Sequence, residues 1–276
     1  MESARHELVG RTVAGFAIDA WHASGANGDI YLATHRPGQQ TVALKVVAPG
    51  LRTDPRAVER FLREGELMAS IDHPSVPRVW ERGESHGLLY IAMTYAEGRD
   101  LMQLLEREGP LPLARTLSLV EQVARALDSL HAACLAHVDV KPTNILVGWD
   151  EHVYLIDFGR ARRTSERKAF FEARDITALA NVAYRCLVGV PATELEALEE
   201  NRRGMRPVAC ARSDVPSSLD QVLAEATSRP PTNRYSTAGE LARALRLAAG
   251  PEADATAGRP RKTRLRRWLS HARLAR

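Results

Sequence analysis

The stretch His137-Val-Asp-Val-Lys-Pro-Thr-Asn144, followed by Asp157-Phe158-Gly159, constrains this chain more than any other feature. Between the two motifs, Val153-Tyr-Leu-Ile156 has the apolar content of a short strand, so Asp157 is expected directly after a strand. Asp139 and Asp157 are carboxylates, Lys141 is a compact cation, and Asn144 offers a neutral oxygen. Phosphoryl chemistry needs a carboxylate at a hydroxyl nucleophile, a cation at the phosphate and two oxygen ligands for magnesium. These four residues supply that set in chain order.

Composition sharpens the pattern. Of 38 basic residues only four are lysines, at positions 45, 141, 168 and 262, so arginine serves wherever a generic positive charge suffices. An ammonium on a flexible stem fits between phosphate oxygens as a point charge, whereas a planar guanidinium does not. Lys141 stands in the motif above. Lys45 stands in Thr41-Val-Ala-Leu-Lys-Val-Val-Ala48, a strand pattern whose period of two puts it with Ala43 and Val47, opposite Val42, Leu44 and Val46.

A chain of 276 residues, 45% hydrophobic, can bury one large core or two modest ones. The first residues lack the pattern of a signal peptide and no apolar run is long enough to cross a bilayer, which predicts a soluble cytoplasmic protein. Three widely spaced cysteines without a C-x-x-C pair argue against a disulfide framework or zinc site and predict buried free thiols. Charge is uneven. The net charge is +4, but residues 259–276 carry +8 with no acid, which leaves the first 258 residues at −4.

From about Arg11 to Met93 the pattern is strand-rich with one helix. Asp54-Pro55 reads as an N-cap with proline at the first helical position, and the helix is expected to run to about Ile71 with Val58, Phe61, Leu62 and Met68 near one face. Short strands are expected near residues 76–82 and 88–93, then a hinge at Thr94-Tyr-Ala-Glu-Gly98. Beyond it, Leu117, Val120, Ala124, Leu127 and Leu130 recur at helical spacing. Residues 175–187, 217–228 and 237–249 read as further helices, and the segment from Gly250 reads as a linker.

With these motifs, residues 8 to 249 resemble the bilobal Ser/Thr protein kinases of the bacterial eukaryotic-like, or Hanks, type. The resemblance implies an α+β, protein-kinase-like fold: a small β-rich N-lobe over residues 8–93, a hinge and larger helical C-lobe over 94–249, and a linker and basic tail over 250–276. It implies that Lys45, in Val42-Ala-Leu-Lys45, holds the α- and β-phosphates of ATP, with Glu64, favoured on spacing, as its helix partner and Glu66 as the rival. The glycine-rich pattern falls on residues 23–30, where Ala23 replaces the first glycine and Gly25 and Gly28 remain. Ile30 and Ala43 occupy its nucleotide-facing aliphatic positions, Met93 guards the back of the adenine pocket, and the backbone of Thr94 to Ala96 bonds adenine. Asp139 orients the substrate hydroxyl and Lys141 assists it; Asn144 and Asp157 carry Mg2+; His137 and Phe158 are packing residues.

The chain departs from the family at two places. Val138 replaces the arginine that commonly binds an activation-loop phosphate, and no A-P-E stretch lies between Gly159 and Asp175, the aspartate aligned with the buried one of the large C-lobe helix. That loss removes the expected carboxylate partner of Arg234, which must find another or stay solvated. The implied activity is ATP- and Mg-dependent phosphorylation of a protein Ser/Thr hydroxyl without activation-loop phosphorylation. The alternatives are a pseudokinase serving as a binding module, or a kinase for a small molecule or one dedicated partner. In the tail, Leu265, Trp268, Leu269 and Ala272 share a helical stripe among arginines, which suits an anionic membrane surface ahead of nucleic acid; a solvated tail or a helix docked on the acidic body are the competing readings.

Overall fold

The computed structural model describes residues 7–25, 28–36, 38–165, 167–189, 207–228 and 234–250. The tail read as a basic amphipathic helix, and all but Gly250 of the linker before it, lie outside the described residues.

The N-terminal part is a six-stranded antiparallel sheet: β1 (Thr12–Val13), β2 (Phe16–Gly25), β3 (Gly28–His35) and β4 (Gln40–Val46) precede helix α1 (Pro55–Ala69), and β5 (Val79–Ser85) and β6 (Leu88–Thr94) follow it. The strand order is β1-β2-β3-β4-β6-β5. Period-2 alternation divides β4 as expected. Val42, Leu44 and Val46 join Phe16, Ile18, Tyr31 and Tyr90 in a core on one face, while Val47 joins Phe61 of α1 and Ile91 on the other. Asp54 caps α1, its Oδ1 accepting from Arg56 N at 2.9 Å, with Pro55 in the first turn. Two expectations for this helix need correction. It ends at Ala69, and Leu62 is 43% exposed, because Ala57, Phe61, Gly65 and Met68 already fill the buried face.

Past β6 the chain enters β7 (Gly98–Asp100), α2 (Leu101–Glu108), α3 (Leu113–Ala132), β8 (Leu135–Ala136), β9 (Ile145–Gly148), β10 (Val153–Leu155), β11 (Arg162–Arg163), α4 (Lys168–Val188), α5 (Val208–Ala211), α6 (Ser218–Ala226) and α7 (Ala238–Ala249). Strands pair as β10-β9-β7 and β11-β8. The stripe of Leu117, Val120, Ala124, Leu127 and Leu130 on α3 is buried in one cluster with Leu179, Leu219 and Leu241 of α4, α6 and α7. Helix α7 starts at a reciprocal Thr237–Glu240 capping box, and Asp128 of α3 accepts from the N–H groups of Ala238 and Gly239 at 2.9 and 3.0 Å. This is an α+β fold with a small β-rich lobe and a larger helical one. The same large cluster takes in Leu67 and Met68 of α1, so α1 is packed against the second lobe as well as the sheet.

Helix α4 starts at Lys168, seven residues before the expected Asp175, since residues 168–174 mix charged with apolar side chains and none of them is buried, so no core-facing stripe marks the start. Arg234 donates through Nε to the carbonyl oxygen of Ser228 at 2.8 Å, so the neutral carbonyl answers part of the need assigned to a carboxylate. Cys186 is buried as expected, but Cys134 is exposed in the turn after α3.

Candidate active site

Sheet register places the first group of site residues. Directly opposite residues share a face, and Lys45 stands opposite Ile30 on β3 and Ile91 on β6, with Ala43 opposite Met93. Ile30, Ala43, Lys45 and Met93 therefore lie on the face that carries α1. Gly25 and Gly28 pair at the end of the β2–β3 hairpin. Gly28 is held to glycine by packing, since a Cβ there would sit 2.3 Å from the carbonyl oxygen of Val46.

Lys45 Nζ lies 2.5 Å from Glu64 Oε1, with the two residues 7% and 2% exposed. Glu66 points outward, 3.5 Å from exposed Arg163. The two glutamates therefore differ in kind. Glu64→Ala leaves a buried ammonium without its carboxylate and is expected to cost about 3–5 kcal/mol, whereas Glu66→Ala should cost less than about 1 kcal/mol. Urea unfolding of both variants checks this, and similar shifts would reverse the choice between them.

At the strand end, Thr94 N–H is already donated to the Arg78 carbonyl at 2.9 Å, so the amide hydrogen of Thr94 is committed within the protein. Ala96 is buried two residues on.

The second group is organised by Asp175 of α4. This carboxylate, fully buried, accepts from His137 N at 2.9 Å and Val138 N at 2.7 Å, and lies 2.9 Å from His131 Nε2. The clamp fixes the loop that begins at His137, including Val138 at φ +67°, a left-handed conformation that a β-branched side chain rarely adopts. His137 is buried, and burial pushes its pKa down against the opposing pull of Asp175. Its Nε2 lies 3.1 Å from the Ile156 carbonyl, which can only accept, so the neutral ring carries its proton there. Phe158 packs edge-on against that ring at 5.0 Å and is itself buried.

Asp139 projects from this loop. Its Oδ2 is 2.7 Å from Lys141 Nζ and 3.0 Å from Asn144 Nδ2, which also donates to the Asp139 carbonyl at 2.8 Å. Arg160 Nη1 is 3.6 Å from Oδ1. Burial raises the Asp139 pKa, but the hydrogen bond and charge of Lys141, the Asn144 amide and the Arg160 charge together hold it below the usual aspartate value. With its NH2 committed to Asp139, Asn144 turns its oxygen to the other side of the amide. Asp157, exposed and in the left-handed region at φ +63°, uses Oδ1 to accept from Gly159 N at 3.2 Å. One neutral and one anionic hard oxygen donor suit a magnesium ion that keeps waters and phosphate oxygens as its other ligands.

Comparison with known proteins decides the family. Residues 23–183, more than half of the chain, match the protein kinase domain. The chain belongs to the protein kinase family. Among its relatives this kinase is similar to Serine/threonine-protein kinase PknE of Mycobacterium bovis, 35% identical over 277 residues that cover 91% of this chain and 48% of PknE. It is also similar to Serine/threonine-protein kinase PknH of Mycobacterium tuberculosis, 31% identical over 92% of this chain and 45% of PknH. The chain thus spans about half the length of these curated relatives. The crystal structure of the Mycobacterium tuberculosis PknI kinase domain superposes with a TM-score of 0.69 at 32% identity, covering 87% of this chain and 99% of that one. These likenesses place the kinase in the bacterial Hanks-type Ser/Thr group.

Sequence reasoning missed the backbone clamp as a whole. It singled out Asp175 for its burial, yet nothing local in the sequence joins it to His131, His137 and Val138, which lie 37 to 44 residues away.

Proposed function

We propose that this kinase transfers the γ-phosphoryl group of ATP, with Mg2+, to a Ser or Thr hydroxyl of a protein substrate. The observation that carries the reading is the Asp139 centre: an ionised carboxylate held by Lys141 and Asn144 on a loop clamped from below by Asp175. Asp139 orients the incoming hydroxyl and accepts its hydrogen bond; Lys141, a mobile point charge beside it, steadies negative charge that develops on the transferred group. Lys45 commits one of its three N–H donors to Glu64 and has the others for nucleotide phosphates. Ile30, Ala43 and Met93 give the adenine an apolar slot, with the backbone of Thr94 to Ala96 at its edge, and the Gly25–Gly28 hairpin covers the phosphates. Asn144 and Asp157 would hold the magnesium, which when bound neutralises phosphate charge.

Incubation with labelled ATP, generic protein substrates and candidate metabolites tests the reading. Magnesium-dependent label on Ser or Thr of protein is the expected result. Label on a metabolite alone points to a small-molecule kinase, and nucleotide binding without turnover to a pseudokinase.

We further propose that activity is independent of activation-loop phosphorylation. Val138 offers no cation to a phosphate, and Thr164 is 4% exposed, with its N–H donated to Cys134 O at 2.8 Å. Its hydroxyl is inaccessible to a phosphate donor in this arrangement, and α4 begins only nine residues after Gly159. The Thr164→Ala, Ser165→Ala double variant is expected to keep kcat/KM within about twofold of the parent. Loss of most activity, restored by acidic replacements, would contradict this.

A further inference from the structure

Between Arg160 and Arg174 the sequence carries six basic residues against two acidic ones, Glu166 and Glu172. Three of the cations have carboxylate partners: Arg160 lies 3.6 Å from Asp139, Arg163 3.5 Å from Glu66 and Lys168 3.6 Å from Glu172. Arg162 and Arg167 are held differently. The guanidinium carbon of Arg162 sits 5.1 Å from the ring centre of Phe171, and that of Arg167 4.7 Å from the ring centre of Phe170. The two rings meet edge to face at 5.2 Å, so arginine, ring, ring and arginine form one connected ladder. Among the described residues no carboxylate lies within ion-pair distance of either guanidinium.

A guanidinium laid over a ring is oriented by the face it covers, while its N–H groups point outward in its own plane, the direction in which it grips a carboxylate with two parallel bonds. Both arginines are exposed and Phe170 is half exposed between them. The ladder is also close to the chemistry. Arg162 stands opposite Ala136 in the β11–β8 pair, and Asp139 follows Ala136 by three residues, at most about 11 Å along the chain. With roughly 5 Å more between the paired strands, an extended peptide covers the span from Arg162 to Asp139 in about five residues.

We propose that Arg162 and Arg167, each set on a phenylalanine ring, form the docking site for an acidic peptide segment of the substrate, whose Arg162 end lies within about five residues of the phosphorylated hydroxyl. Phe170 supplies the apolar contact between the two charges. The proposal rests on the protein-substrate reading above and names the class of sequence that reading takes.

The experiment has two arms. In the first, Ser/Thr peptides carrying aspartate at each flanking position in turn are compared with neutral and basic versions, using the parent and the Arg162→Gln, Arg167→Gln double variant. The parent is expected to favour acidic peptides through KM. In the double variant that KM should rise about tenfold, while the kcat for acidic peptides and the kcat/KM for neutral ones stay unchanged. Arg162→Lys with Arg167→Lys should restore part of the preference, because charge returns without the planar fork. Equal use of acidic and neutral peptides by the parent, or a preference that survives in the double variant, would overturn the proposal. The second arm measures binding of a labelled acidic peptide with alanine at the acceptor position, by fluorescence anisotropy in the absence of turnover. Binding to the parent and not to the double variant supports the docking site even where no peptide is phosphorylated, an outcome that would sink the protein-substrate reading alone. No binding of the acidic peptide to the parent overturns the docking site itself. Thermal melting of the double variant, expected at the parent's temperature, excludes a folding defect.

Discussion

Replacing Asp139 with asparagine is expected to lower turnover by about 10²- to 10⁴-fold while nucleotide affinity stays within about twofold. The carboxylate contacts Lys141, Asn144 and Arg160 and none of the residues of the Lys45 group, so its loss acts at the hydroxyl and leaves the nucleotide slot alone. Asparagine keeps the size of the side chain but removes the charge that Lys141 and Arg160 face. Single-turnover kinetics together with nucleotide titration separate the two effects, and full turnover in the variant would remove Asp139 from the mechanism. The pH profile offers a second check. The folded pKa of Asp139 lies below its unfolded value, so the stabilisation from its ionised form is complete above the unfolded value and is lost as pH falls through the folded one. Any acid limb of activity owed to Asp139 therefore falls below about pH 4. A limb at higher pH that vanishes in the asparagine variant would contradict that ordering.

Asp175→Ala should be the most damaging single change to the folded state. It leaves the N–H groups of His137 and Val138 and the Nε2 of His131 without the acceptor they share in a fully buried place. Each buried donor without a partner costs about 1–3 kcal/mol, so the variant should lose about 3–6 kcal/mol, a large part of a typical domain's stability. The melting temperature should fall by roughly 10 °C or more. The loss should reach the chemistry as well. Val138 stays in the left-handed region only while its N–H is held, and once it relaxes Asp139, the next residue, no longer meets Lys141 and Asn144 in the same geometry. Urea unfolding and the specific activity of the folded fraction measure both consequences. An unfolding free energy within about 1 kcal/mol of the parent, or undiminished activity, would show that the clamp is dispensable.

How much of this was legible in the chain depends on the range of the interaction. The alternation of β4, the stripe on α3, the N-cap Asp54 and the end of α4 near Leu187 are local matters, decided by side-chain period and capping over a few residues. The residues proposed for the phosphate and metal chemistry could be named from the chain, because the family's motifs place their counterparts in fixed local order. The errors arose where neighbours in space overruled neighbours in sequence. Leu62 had the hydrophobicity for a core position and stands exposed, since Phe61 and Met68 already meet Ile91 and the second lobe. The early turns of α4 carry no core-facing stripe, yet they form a helix whose Phe170 and Phe171 are covered by Arg167 and Arg162.

The sequence by itself determined which residues could do the chemistry, the periods of the main strands and helices, and the family. Only the tertiary structure decided that Glu66 points outward to Arg163 while Glu64 is buried on Lys45, that Asp175 holds the backbone of His137 and Val138, and that Arg162 lies beside the strand leading to Asp139. The reason is physical. Periodicity and capping act between residues a few positions apart and leave their mark on the local pattern. An ion pair spanning 19 residues or a carboxylate serving donors 37 to 44 residues away exists only once the chain has closed and water has been excluded from between the partners.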